Sequence, residues 1–191
     1  DRGKVPHAIL FTGPSGVGKT TMGRVIKTHL DCGDADYLEI NSADFKGIDT
    51  IREIRKAVHL SPIEGSSRIW MIDEAHKLTG DAQNALLKIL EDTPRHAYFM
   101  LATTDPHKII KTIHTRCSEI KLVSLSNIDI EKVLRRVIAK ENLKLNDDVI
   151  TEIVEAAEGS ARKALVILEQ VCYLEGDEAQ IKAVQSTSLN K

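Results

Sequence analysis

Eight consecutive residues constrain this chain more than any others: Gly13, Pro14, Ser15, Gly16, Val17, Gly18, Lys19 and Thr20, the pattern G-x-x-x-x-G-K-T. They follow the apolar run AILFTG (8–13) and open TTMGRVIKTHL, which reads as a helix. Glycines at such a corner let the backbone wrap tightly, so that its amides point at a phosphate, and the helix N-terminus adds positive partial charge. Lys19 would neutralise the β- and γ-phosphates of a nucleotide, and Thr20 would offer its hydroxyl to Mg²⁺. With Thr21 beside them, these residues form the candidate nucleotide site. A chance glycine loop is the weaker reading, because the pattern is complete and its strand–loop–helix context is correct.

A loop of this kind needs a strand before it and a helix after it, and the next hundred residues repeat that alternation. AILFTG (8–13), YLEI (37–40), RIWMID (68–73), AYFMLATT (97–104) and SEIKLV (118–123) read as strands, apolar nearly throughout, as parallel strands buried on both faces are. Between them, DAQNALLKILED (81–92) carries Ala82, Ala85, Leu86, Ile89 and Leu90 on one stripe. The pattern predicts a doubly wound α/β fold with a five-stranded parallel sheet. Aromatic residues are only 4% of the chain, so its core is expected to be aliphatic. After LVSLSN the strand signals stop, and helices are predicted over 128–140, 147–158, 160–174 and 178–186. A boundary near Ser124 to Asn127 divides a nucleotide-binding core (1–123) from a small helical domain (124–191).

Phosphoryl transfer also needs a carboxylate on the metal side and a residue that orients the attacking water. RIWMIDE supplies both, with Asp73 ending a strand and Glu74 next as candidate general base. Alternatively the two acids simply open a helix, a reading that weakens beside a complete phosphate loop. The letters Asp73-Glu74-Ala75-His76 spell a box known from helicases. A helicase, however, is expected to carry a second RecA-like domain, and only 117 residues follow Glu74, the last third helical. Ala75 and His76 are read as incidental.

Composition narrows the partners. The net charge of −2 gives no bulk attraction to nucleic acid, so any DNA contact must be a local patch or belong to an assembly. Three scattered cysteines and seven scattered histidines lack ligand spacing, which predicts neither zinc nor disulfides. No run approaches the ~18 apolar residues of a membrane span, so no membrane partner and a cytoplasmic location are expected. A first residue of Asp rather than Met suggests a fragment, truncated at its N-terminus.

Several stretches go further and resemble the AAA+ clamp-loader ATPases, machines that open a sliding clamp and close it on primed DNA. LEINSADFKGIDTIREI (38–54) is similar to replication factor C small subunits. DAQNALLKILEDTP (81–94) and LATTDPHKIIKTIHTRC (101–117) resemble the bacterial DNA polymerase III gamma/tau subunit, and EGSARKALVILEQ (158–170) resembles the sensor-2 helix of both. These matches run in family order over about residues 3 to 172. The resemblance implies an AAA+ P-loop core with Walker A and Walker B elements, followed by a helical lid. It implies that Thr104, with Thr103 as fallback, is sensor 1; that Arg116 is an arginine finger acting on a neighbouring subunit; and that Arg162 is the sensor-2 arginine. Each has a plainer alternative: a strand threonine, a strand-edge arginine, a surface residue opening a helix. Thr115 stands where the family usually has Ser. The four-cysteine zinc module of gamma/tau subunits has no counterpart in HLDCGDADYLEI, and the C-terminal collar domain is expected to lie outside this chain.

By the same resemblance, DNA runs inside a spiral of subunits, likened to a pentamer, and is followed through its phosphates. In NSADFKGIDTIREIRK (41–56), Lys46, Arg52, Arg55 and Lys56 stand at a helix start, a placement that suits phosphate; the alternative is a solvated helix face. The implied function is that of an ATP-hydrolysing, Mg²⁺-dependent clamp-loader subunit, partnered by other subunits, a sliding clamp and primer-template DNA. Two alternatives stand beside it. One is a scaffold subunit that does not hydrolyse ATP, which would usually have a broken phosphate loop. The other is a different AAA+ protein such as an initiator or branch-migration motor.

Overall fold

The computed structural model describes residues 5–43 and 47–189. Its strands are β1 (Ala8–Thr12), β2 (Tyr37–Asn41), β3 (Arg68–Asp73), β4 (Ala97–Thr103) and β5 (Ser118–Lys121). Its helices are α1 (Lys19–His29), α2 (Ile48–Ala57), α3 (Gly80–Glu91), the single turn α4 (Lys111–His114), α5 (Asn127–Lys140), α6 (Asp147–Ala157), α7 (Ala161–Val171) and α8 (Asp177–Leu189). The chain divides into two compact units, one formed by Asp1–Gly13 with Lys19–Leu122 and the other by Pro14–Gly18 with Val123–Lys191.

In the first unit all five strands run parallel in the order β2-β3-β4-β1-β5. The near-continuous apolarity of β1, β3 and β4 has the expected cause: successive side chains point to opposite faces, and both faces are covered. Leu10, Trp70, Ile72, Phe99 and Leu101 face a cluster containing Ile51 and Ile54 of α2, Leu86 and Ile89 of α3 and Ile113 of α4. Their neighbours Ile9, Phe11, Ile69, Met71, Met100 and Ala102 face the other way, with Ile26 of α1. Trp70 stacks on Phe99 with ring centroids 5.1 Å apart. Each such fully buried side chain stabilises the sheet by about 1.5–3 kcal/mol. The edge strand β5 is exposed at every residue.

One buried ion pair fixes the long connection from α2 to β3. Asp36, fully buried just before β2, accepts from the backbone N–H groups of Ile63 (2.6 Å) and Glu64 (2.7 Å) and from Arg68 Nε (2.7 Å). Burial alone would raise its carboxyl pKa; the bonds from Glu64, Arg68 and Ile63 outweigh that and hold it below the ordinary range.

The second unit is built on α6, whose Val149, Ile150, Ile153, Val154 and Ala157 are buried against Ile130 and Leu134 of α5, Ala164, Ile167 and Leu168 of α7 and Val184 of α8. Side-chain oxygens cap two of these helices: Ser126 accepts from Asp129 N (3.2 Å) and Ser160 from Lys163 N (3.2 Å). In the first unit Thr79 caps α3 by accepting from Ala82 N (3.3 Å). Each cap is worth about 1 kcal/mol.

Several element ends differ from the sequence reading. Strand β1 stops at Thr12 because Gly13 turns with φ 145°. Strand β4 stops at Thr103, whose hydroxyl accepts from Asp105 N (3.0 Å) and so closes a turn over Thr104. Ser160 is the cap of α7 rather than part of it, and α7 ends at Val171 rather than 174. Helix α4 escaped the periodicity argument because four residues show no period. Among the described residues, no helix is long and apolar enough to cross a membrane.

Candidate nucleotide site

The phosphate loop leaves β1, which lies between β4 and the edge strand β5, at the strands' C-terminal end, where open α/β sheets bind their ligands. A side chain at Gly13 would put its Cβ 2.1 Å from Leu122 O, so the loop can only turn there with glycine. Lys19 is buried at the start of α1 and donates from Nζ to Gly13 O at 2.9 Å, which folds its ammonium back across the loop. Thr20 donates from Oγ1 to Asp73 Oδ2 at 3.0 Å. A strand-end carboxylate and a helix-start hydroxyl, far apart in sequence, thus meet as two hard oxygen donors, the set a small divalent cation takes. Thr21 is exposed on the next position of α1.

Glu74 follows Asp73 in the left-handed region (φ 52°, ψ 38°) and donates its N–H to Asp73 Oδ1 at 2.9 Å. For a non-glycine residue that conformation costs about 1–2 kcal/mol, and such strain gathers at functional sites. Its effect is to end the strand abruptly, so the two carboxylates do not alternate across the sheet as adjacent strand residues would. The Glu74 carboxylate stands 3.3 Å from His76 Nε2 and 3.7 Å from Lys77 Nζ.

In the second unit, Pro14 and Ser15 are exposed and Val17 is buried. Gly16, at φ 77°, accepts a hydrogen bond through its carbonyl from Arg162 N at 3.3 Å, and a Cβ on it would lie 2.1 Å from Ser160 Oγ. Arg162, the residue likened to sensor 2, therefore sits against the phosphate loop itself, at the first turn of α7, with its side chain exposed.

The remaining sequence candidates are placed less uniformly. Thr104 lies one residue past β4 and is exposed, while Thr103 is completely buried and bonded to His76 Nδ1 at 3.0 Å. Arg116 is exposed beyond α4 and pairs with Glu91. Cys117 is half-buried, and burial pushes its thiol up to about 12; it packs rather than reacts. Lys46 lies outside the described residues. Arg52 pairs with Asp49 at 2.9 Å, and Arg52 and Arg55 line a groove of about 310 Å³ between α2 and α3 with Asn84 and Lys88. Lys56 is exposed but does not line the groove. Sequence reasoning missed Lys88 and Asn84, because nothing in the chain order puts α3 alongside α2. It also set aside His76, whose only signal was its place in the acidic box.

Comparison with known proteins agrees with this layout. A family model described as DNA polymerase III, delta subunit, matches residues 34–126, and one described as RCF1/5-like, AAA+ ATPase lid domain, matches residues 132–173. DNA polymerase III subunit gamma of Buchnera aphidicola subsp. Schizaphis graminum is 35% identical over 94% of this chain and 55% of its own length. Subunit tau of Bacillus subtilis is 34% identical over 94% of this chain and 36% of its own length. The chain therefore spans about half, or less, of the curated relatives it matches. Among solved structures, the Thermotoga maritima RuvB Holliday junction branch migration motor superposes with a TM-score of 0.75 at 21% identity, over 97% of this chain and 62% of that one. That likeness carries the fold and nothing finer. With a parallel sheet, a complete phosphate loop and a lid matched by a family model, the chain is similar over 94% of its length to the DNA polymerase III gamma and tau subunits.

Proposed function

We propose that this chain is the ATP-hydrolysing part of a clamp-loader subunit, which opens a sliding clamp and places it on primer-template DNA. The observation that carries the reading is the 3.0 Å bond from Thr20 to Asp73 beside a buried Lys19, with Glu74 next in the chain. A scaffold subunit has no need to keep all four groups. Thr20 and Asp73 would hold Mg²⁺, which when bound neutralises phosphate charge and orients the terminal phosphoryl group. Lys19 moves from Gly13 O to the β- and γ-phosphate oxygens. Glu74 accepts a hydrogen bond from the attacking water and takes its proton as the new O–P bond forms and the bond to the leaving diphosphate breaks. Thr104 monitors the γ-phosphate, and Arg162 contacts the nucleotide from α7.

Arg116 points to regulation by assembly. It is a permanent, fork-shaped cation on the outside of its unit, suited to charge on a neighbour's transferring phosphoryl group. Turnover then requires an oligomer, and the family resemblance favours a pentamer. Sequence-independent DNA contact falls to the α2–α3 groove, whose Arg52, Arg55 and Lys88 suit phosphates. The working place of such a machine is the cytoplasm.

The test is to purify the full-length protein with whatever co-assembles and measure ATPase with primed DNA and a clamp. Stimulation by both is expected. Glu74→Gln is expected to keep ATP binding and lower turnover at least ~100-fold, and Lys19→Ala to impair binding itself. Undiminished turnover by Glu74→Gln in the full assembly would remove Glu74 from the role of base.

A further inference from the structure

Within the first unit, His76 makes two contacts that join parts of the site distant in sequence. Its Nε2 stands 3.3 Å from Glu74 Oε2, and its Nδ1 stands 3.0 Å from Thr103 Oγ1. Thr103 Oγ1 already accepts from Asp105 N at 3.0 Å. With its hydroxyl proton turned to Nδ1, the proton of a neutral imidazole lies on Nε2, facing the carboxylate. A single tautomer satisfies every partner, and no charge on the ring is required.

Two further observations make the arrangement rigid. The backbone of Glu74 is held in the left-handed region by the bond of its N–H to Asp73, so only its side-chain torsions remain to be fixed. Among the described residues, two cationic or donor groups reach that carboxylate. Lys77 does so at 3.7 Å from a half-exposed position, a loose and screened pair. His76 does so from a side chain only 11% exposed, seated on a threonine that is wholly buried. The buried Ala75 between them packs into the sheet core and fixes where the short turn runs.

We propose that His76 is a positioning residue for hydrolysis: it orients the Glu74 carboxylate and locks it to the end of β4, whose next residue is Thr104. The proposal rests on the reading of Glu74 as base. It gives a physical link between the group that orients water and the residue likened to a γ-phosphate sensor, because a shift of the β4 end would move Thr103, His76 and the carboxylate together. A ring that only filled space at the strand ends would not need a donor directed at Glu74.

The experiment measures steady-state kcat and KM for ATP, affinity for a non-hydrolysable ATP analogue, and Tm in the full-length protein in its assembly. His76→Ala is expected to lower kcat about 10- to 100-fold, in line with losses from misplaced supporting groups, with KM and analogue affinity within about twofold. His76→Gln, whose amide donates from a position close to Nε2, is expected to recover a large part of that kcat. Thr103→Val removes the other contact with little change of volume and is expected to lower kcat in the same sense; with His76→Gln it carries the test if His76→Ala fails to fold. A kcat for His76→Ala within twofold of the parent, or His76→Gln no better than His76→Ala at unchanged Tm, overturns the proposal. Glu74→Gln separates the two levels: if it turns over normally, the base assignment has failed, whereas an inactive Glu74→Gln beside a fully active His76→Ala overturns only the role of His76.

Discussion

Replacing Asp36 by Ala tests how far one buried charge organises the first unit. The substitution leaves Arg68, only 7% exposed, with no carboxylate at Asp36 and removes the acceptor for the N–H groups of Ile63 and Glu64. Breaking a buried pair by deleting one partner costs about 3–5 kcal/mol. The two N–H groups lie in a partly exposed loop that can reach water, so their added cost is small and a total of about 4 kcal/mol is expected. At roughly 2–4 °C per kcal/mol for a chain of this size, Tm falls by about 8–16 °C. The assay is urea unfolding followed by fluorescence of Trp70, the chain's single tryptophan, buried on β3 of the same unit. Replacing both partners by apolar residues, Asp36→Leu with Arg68→Met, is expected to recover most of the loss, because no unpaired charge remains. The sign with pH follows from the lowered carboxyl pKa. The contribution is complete above the unfolded Asp value of about 3.9 and is lost as pH falls through the lower folded value. The gap between parent and Asp36→Ala therefore closes only below about pH 4. A loss under about 1 kcal/mol at pH 7, or a gap that closes near neutrality, would refute the reasoning.

Three further outcomes follow from the geometry. Gly16→Ala sets a Cβ against Ser160 Oγ at φ 77°, and nucleotide affinity measured by titration calorimetry is expected to fall at least ~10-fold. Arg116→Ala breaks a surface pair with Glu91 and an exposed bond from Nη1 to Thr112 O, so Tm is expected to hold within about 4 °C, while turnover of the assembled complex falls about 1,000-fold; unchanged turnover would deny its action on a neighbour. Replacing Arg52, Arg55 and Lys88 together by Ala is expected to lower the slope of log affinity for DNA against log salt by about 2 to 3, and an unchanged slope would move the DNA contact elsewhere.

What the residues alone determined was whatever is local or periodic. The phosphate loop is legible because Gly13, Gly16, Gly18, Lys19 and Thr20 are neighbours in sequence, and their chemistry needs that spacing. The parallel sheet is legible because strands covered on both faces must be apolar throughout, and β1, β3 and β4 are. Tertiary structure decided what depends on distance through space. It joined Thr20 to Asp73, set Arg162 against Gly16, and brought Lys88 beside Arg52. It also separated Thr103 from Thr104, two identical letters: one is buried and bonded to His76, the other exposed past the strand end. His76 shows the division most plainly. In sequence it stands two residues after Asp73 and Glu74, the pair proposed for catalysis, and its meaning comes only from a turn at Glu74 and a strand nearly thirty residues on. Hydrogen bonds act over about 3 Å of space, and sequence separation carries no record of which distant strand end will supply the partner.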